Sequence, residues 1–192
     1  MTTILLSFNE VHALARKAAG GAGLPHGVAD DIGHAAVWLS ARGVDAIAIV
    51  VAALGEGAPG GQAILLGQAA IDALCCGEIA PLDLQDRKEG ALLVGLAGAA
   101  VLETGLPLAL ERGNGDVVPL SGVSDVGGLL PDMKALRRLP DGDTALCSGA
   151  PRPGATDATA YAAALDLATR TCVPASDLSR VLGAGAGTTD SD

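Results

Sequence analysis

An α+β fold is what the sequence predicts, on three observations. Capping signals and apolar stripes of helical period fill the first 54 residues, an Asn-Gly turn between two apolar runs marks a hairpin near residues 106–120, and one more helical stripe precedes a Gly-rich tail. The predicted order is amino-terminal helices, a central sheet that includes the hairpin, then a carboxyl-terminal helix and the tail. At 192 residues the chain fits one globular domain over 1–192. A chain of that size buries roughly 70% of the surface its unfolded form exposes, so it needs no metal or disulfide to fold. Apolar residues make up 49% but aromatics only 2%. The core must therefore be Ala, Leu, Val and Gly packed closely.

Ser7-Phe8-Asn9-Glu10 is a capping box, so a helix begins there, with Val11, Leu14, Ala15 and Ala18 on one face and Gly20-Gly21 as its stop. Leu24-Pro25 leads into a second helix striped by Ile32, Ala35, Ala36 and Leu39 and ended by Arg42-Gly43. Asp45 caps a third, short helix through Leu54. Gly55 to Gly61 reads as a loop. Gln62 to Cys76 is placed as helix on Ile64, Gln68, Ile71 and Leu74, against the objection of Gly67. Glu78 to Leu84 reads as an edge strand that tolerates Pro81. Gly90 to Glu103 is helix, with Gly105 in the left-handed cap position.

The hairpin pairs Leu106–Leu110 with Val117–Leu120, and Asn114-Gly115 is expected to supply the positive φ values of its turn. Pro131 to Leu139 is predicted as one or two helical turns closed by Pro140, and Asp141-Gly142-Asp143 as a turn into a strand around Thr144–Cys147. After the loop at Pro151–Gly154, Thr156 is expected to cap a helix running to about Arg170, with Tyr161, Ala164, Leu165 and Ala168 inward. Ser176 then caps one short turn that ends at Gly183.

Charge and cysteine usage exclude several functions. The net charge of −10 opposes a polyanion, and adjacent basic residues occur only as isolated pairs such as Arg87-Lys88 and Arg137-Arg138. Nucleic acid and anionic membrane are therefore rejected as partners. Cys75 and Cys76 are adjacent, with Cys147 and Cys172 distant, which fits neither a disulfide framework nor zinc-site spacing. Reduced thiols in a cytoplasm are the expectation. Met1–Leu6 lacks the basic region of a signal peptide, and the apolar runs Ala46–Leu54 and Gly90–Leu102 are shorter than the ~18 residues of a membrane span.

No catalytic motif is complete. His26, Asp30 and His34 are spaced by four along one side of a helix, but residues eight apart stand about 12 Å apart along the axis, too far for one ion to bridge. The polar face of an amphipathic helix is the expected role, no metal is predicted, and His12 receives no role without a contact. Cys75-Cys76 has no neighbouring cation in sequence to activate a thiol. Gly122-Val123-Ser124-Asp125-Val126-Gly127 approaches a nucleophile elbow, but its second Gly is one place late and no His follows it. A serine hydrolase of that order is excluded.

The tail is the least ordinary stretch. Gly183, Gly185 and Gly187, followed by Thr188 and Thr189, alternate as in an anion-cradling loop, yet no Lys accompanies them and no strand precedes them. Asp190, Asp192 and the terminal carboxylate would repel a phosphate. Two ligand readings stay open beside that of a frayed terminus: a hard cation at Asp190 and Asp192, or a substrate carboxylate at Arg180 with the Gly run letting the backbone pass close by. The expected ligand-binding set is Ser176, Ser179, Arg180, Gly183, Gly185, Gly187, Thr188, Thr189 and Asp190. No cofactor can be named.

Two resemblances bear on this. Arg42-Gly43-Val44-Asp45 is similar to a motif of the second type of malate, lactate and sulfolactate dehydrogenases, but it continues Ala46-Ile47-Ala48 where that motif has Ser, His and Gly, so no activity is carried over. The run Ser7-Phe8-Asn9-Glu10-Val11 with Lys17–Pro25, Trp38-Leu39 and Arg42-Gly43, together with Val173–Asp177, Ser179-Arg180, Gly183–Gly187 and the closing Thr189-Asp190 and Asp192, resembles the signatures of a bacterial family, domain of unknown function 3726. His26 stands where that family is expected to have an aromatic, and Cys172 where it is expected to have Tyr. The resemblance implies a compact bacterial domain without an assigned activity. The expected function is a small-metabolite enzyme or binding protein with its site at the tail; the alternative is an accessory protein that forms a homo-oligomer or docks on a partner enzyme.

Overall fold

The computed structural model describes residues 2–55, 58–79, 81–140 and 153–171. Among them are six α-helices and two small antiparallel sheets, the α+β arrangement. The chain opens with β1 (Thr3–Leu6), which leads directly into α1 (Phe8–Gly21). The box at its start is closed from both sides: the Glu10 amide donates to Ser7 Oγ at 3.3 Å, and the Ser7 amide donates to Glu10 Oε2 at 2.7 Å. Val11, Leu14, Ala15 and Ala18 are all buried, as the stripe predicts. The helix ends at Gly21, within the predicted Gly20-Gly21 stop.

Helix α2 (His26–Ser40) buries Ile32, Ala35, Ala36 and Leu39, and Asp45 accepts from the Ala48 amide at 2.9 Å to start α3 (Ala46–Leu54). Next comes α4 (Ala58–Cys76), which takes in four residues assigned to a loop by sequence. A first helical turn has N–H groups without helical partners, so Pro59 there removes nothing the helix uses. Within α4, Gly67 is explained by α5 (Gly90–Thr104): a Cβ at 67 would lie 2.5 Å from Leu93 Cδ2.

Helix α5 is buried nearly all round, and that is why its sequence shows little amphipathic period. It crosses α2 closely. A Cβ at Gly98 would fall 2.1 Å from the Trp38 ring, and one at Gly95 2.7 Å from Leu39 Cδ1. These glycines cost helix stability of about 1 kcal/mol each relative to Ala, which the close contact offsets. Gly105 ends the helix at φ 71°, in the left-handed cap predicted.

The larger sheet has the order β2 (Leu82–Asp83), β5 (Met133–Arg138), β3 (Leu108–Arg112), β4 (Val117–Pro119). Pro81 precedes β2, an edge strand much shorter than the run predicted for it. In the hairpin only Gly115 has positive φ, at 89°; Asn114 does not. The Gly115 amide donates to Arg112 O at 2.9 Å and the Arg112 amide to Asp116 O at 2.8 Å, a three-residue loop in place of the two-residue turn expected.

The prediction of helical turns over Pro131–Leu139 is wrong. A single 3-10 turn, Leu130–Asp132, precedes β5, which lies inside the sheet with Leu136 between Leu82 and Leu110. Two of its charged residues face Glu111, Lys134 Nζ at 2.7 Å and Arg137 Nη2 at 3.2 Å. Ladder hydrogen bonds on both sides and this cross-strand pairing override the helical propensity of Lys-Ala-Leu-Arg-Arg.

The smaller sheet pairs β1 with β6 (Gly154–Asp157). Thr156 is therefore in a strand, and Asp157 caps α6 (Ala158–Thr169) by accepting from the Thr159 amide at 2.8 Å. Ala164 and Ala168 are inward as predicted and Tyr161 is half-buried, but Leu165 is 42% exposed and Leu167 takes the inner position. The strand predicted at Thr144–Cys147 lies outside the described residues.

Candidate functional site

Every residue of the ligand set predicted at the tail, Ser176, Ser179, Arg180, Gly183, Gly185, Gly187, Thr188, Thr189 and Asp190, lies outside the described residues, as do Cys147 and Cys172. The described residues bring a different group together, on the α1, α2, α4 and α5 helices. Asp30 and His34 are one turn apart on α2, so their side chains share a face. His26, at the exposed start of the same helix, is not in the group. Its place is taken by His12 of α1.

Packing fixes that ring. Gly33 of α2 lies beneath His12, where a Cβ would be 2.7 Å from Cδ2 and 2.8 Å from Nε2. The two imidazoles meet edge to face, with centroids 4.7 Å apart and planes at 71°. His12 Nε2 is 3.7 Å from Asp30 Oδ1, and His34 Nε2 is 3.8 Å from Asp30 Oδ2. Taking one ligating atom from each of His12, Asp30 and His34, all lie within 4.8 Å of one another. Two groups stand behind them: Arg16 Nη1 lies 3.8 Å from Asp30 Oδ1, and Glu103 Oε1 of α5 lies 3.9 Å from His34 Nδ1.

Burial, and then repulsion from His34, hold His12 below the ordinary histidine range, so its ring is neutral near neutral pH; Asp30 pulls the other way and Arg16 adds to the lowering. Its Nε2 is shielded from solvent and has no hydrogen-bond partner among the described residues.

His34 also borders a cleft of about 230 Å³ between α2, α4 and α5. Its apolar floor includes Ile71, Leu96 and Ala99, and its polar rim carries the carboxylates Asp31, Asp72 and Glu103. No Lys or Arg lines it among the described residues. Partial burial, and then the neighbouring Asp31, raise the Asp72 pKa, as expected where carboxylates crowd. Gln68 donates through Nε2 to Asp31, leaving its shielded Oε1 without a partner among the described residues. Cys75 is at the cleft too, but burial first, then Asp72 and Cys76, push its thiol up, with Arg138 only partly opposing them. A raised pKa makes a poor nucleophile, but the buried, small-hydrophobe role expected for Cys75-Cys76 is not met, since Cys75 is half-buried and Cys76 exposed.

Two other motifs resolve into structure. Arg42 is buried over the Trp38 ring at 3.9 Å, and its Nε donates to Val123 O at 2.9 Å. Since the Val126 amide donates back to Arg42 O at 3.2 Å, the Gly122–Gly127 run is held as a structural loop. Asp45 caps α3 and accepts from the Asp157 amide at 2.8 Å. Sequence reasoning missed the α1 contribution altogether, because nothing local connects His12 with Asp30. The signal available was His12 and Arg16 spaced by four, facing a helix that offers His and Asp at the same spacing.

Residues 6–90 match the family described as protein of unknown function (DUF3726), a match that covers His12, Asp30, His34 and the amino-terminal signature. No curated protein and no solved structure matches the chain. Among the described residues no helix is long and apolar enough to cross a membrane.

Proposed function

We propose that the protein binds a small organic cation, a metabolite bearing an amine, in the cleft between α2, α4 and α5. The observation that carries this reading is the convergence of Asp31, Asp72 and Glu103 around an apolar floor with no Lys or Arg among the described lining residues. Three carboxylates oppose an anionic ligand and favour a cationic one, while the floor accepts its hydrocarbon part. Gln68 Oε1, without a partner among the described residues, supports the same choice, because an ammonium group supplies donors and a carboxylate supplies none.

The tail read from sequence is a second proposal, and it predicts the opposite ligand charge. Arg180, with Ser176, Ser179 and the Gly run, suits a carboxylate. One thermal-shift panel of amines and carboxylic acids separates the two, since a ligand present at a hundred times its Kd adds about 2.7 kcal/mol to the folded state. The cleft reading expects amines to raise Tm, and Asp72→Asn with Glu103→Gln to abolish that rise. Stabilisation by carboxylates alone, removed by Arg180→Ala or by deleting residues 183–192, would reject the cleft in favour of the tail. The accessory reading is favoured by Leu5 and Leu165, 68% and 42% exposed, which a second copy of the chain would cover. A strict monomer in sedimentation, with no partner recovered from lysate, removes it.

A further inference from the structure

We infer that His12, Asp30 and His34 form a binding site for a divalent transition-metal ion of the zinc type. The donor set is right for such an ion: two imidazole nitrogens and one carboxylate, with a coordination position left for water or substrate. The geometry is right as well. The Asp30 oxygens stand 3.7 and 3.8 Å from the two imidazole nitrogens, too far for hydrogen bonds. Ligands about 2.0–2.1 Å from a tetrahedral ion are separated by roughly 3.3 Å, so each Asp30–histidine pair needs to close by only a few tenths of an ångström, and the widest pair of the set, within 4.8 Å, by up to about 1.5 Å, the reach of a side-chain rotation.

Three further features distinguish this group from a polar helix face. The ligands come from two helices, and the contact is made by Gly33, where a Cβ would displace the His12 ring. His12 Nε2 is hidden from solvent with no hydrogen-bond partner among the described residues, a state that a metal bond relieves. Behind His34, Glu103 faces Nδ1, the nitrogen left over when Nε2 ligates, which is the carboxylate-to-histidine support that metal-bound imidazoles use. Arg16 is the rival cation at Asp30. It sits 3.8 Å away with 39% of its side chain exposed, so it can swing into solvent when an ion enters.

The inference does not depend on the cleft ligand, because the ion needs no organic partner, and its test contains none. The untagged full chain is titrated with Zn²⁺ by calorimetry and with Co²⁺ by visible absorption. One ion per chain is expected, with a cobalt spectrum free of the intense near-ultraviolet sulfur-to-metal band that a thiolate would give. His34→Ala, at an exposed position, and His12→Ala should each weaken binding about tenfold or more. His26→Ala, at the third histidine of the chain, should leave it unchanged, and thermal unfolding of each variant without metal checks that the fold is kept. Absence of binding, a thiolate band, or binding that survives His12→Ala combined with His34→Ala would overturn the site.

Discussion

Arg42 is the residue on which the junction between α2 and the loop at 123–127 depends. Its guanidinium carbon lies over the Trp38 ring, while Nε donates to Val123 O and Nη1 to Trp38 O at 3.1 Å. A lysine keeps the charge but loses the planar fork and the stacking face. Arg42→Lys should therefore cost about 2–4 kcal/mol, on the scale of buried charge-assisted hydrogen bonds together with a cation–π contact. Urea unfolding measures it, and a loss below 1 kcal/mol would show that the stack and the two carbonyl bonds are not coupled. The sequence displayed Arg42-Gly43-Val44-Asp45 plainly, but a chain read one residue after another suggested a dehydrogenase motif. Its structural purpose shows only when Val123, Val126 and Asp157 arrive from far along the chain. His12 was opaque for the same reason: a ligand contributed by a second helix has no spacing rule.

Elements whose start is local were legible. The Ser7–Glu10 box, the Asp45 cap and Gly105 act over four residues or fewer, and each was placed correctly. Among the strands, the β3–β4 hairpin was legible through its Gly115 turn and β2 fell within the run predicted for it, but β1, β5 and β6 were not, because they take their hydrogen bonds from distant partners, and β5 carries residues that suit a helix. The same caps predict how acid affects the molecule. Hydrogen bonds from Ser7 lower the Glu10 pKa, and bonds from Thr159 lower that of Asp157. A carboxylate with a depressed folded pKa contributes stability that is complete above its unfolded pKa and is lost as pH falls through the folded value. The advantage of the native protein over Glu10→Gln and Asp157→Asn should thus be constant near neutrality and shrink as pH drops below the ordinary carboxylate range. Chemical unfolding at a series of pH values checks this, and an advantage that does not change with pH would mean that the caps are not ionic.

At the scale of the molecule, the apolar positions gather into one core among the described residues, with α5 passing through it between α2, α4 and the larger sheet. The low aromatic content made a tightly packed, small-residue interior legible in advance, since Ala and Gly let helices approach where larger side chains would hold them apart. The crossing itself was not legible, because a helix buried on all sides has no stripe to aim it. This arrangement predicts an order of opening. Amides of α5 and of the α2 segment around Trp38 lie in the part of the core where no local motion exposes them without breaking the Gly98–Trp38 contact, so they should exchange only through global unfolding. The edge strands β2 and β4 and the β1–β6 ribbon, each with a side unpaired among the described residues, should exchange through smaller local openings. Native-state hydrogen exchange across a low-denaturant series distinguishes the classes by their slopes. Gly98→Ala sharpens the test, since forcing a methyl against the indole should lower the α5 exchange free energy by about 1–3 kcal/mol, while the rapidly opening edge amides keep their wild-type rates. Exchange of α5 at the same rate as β4 would instead mean that the helix crossing is not the last part of the fold to open.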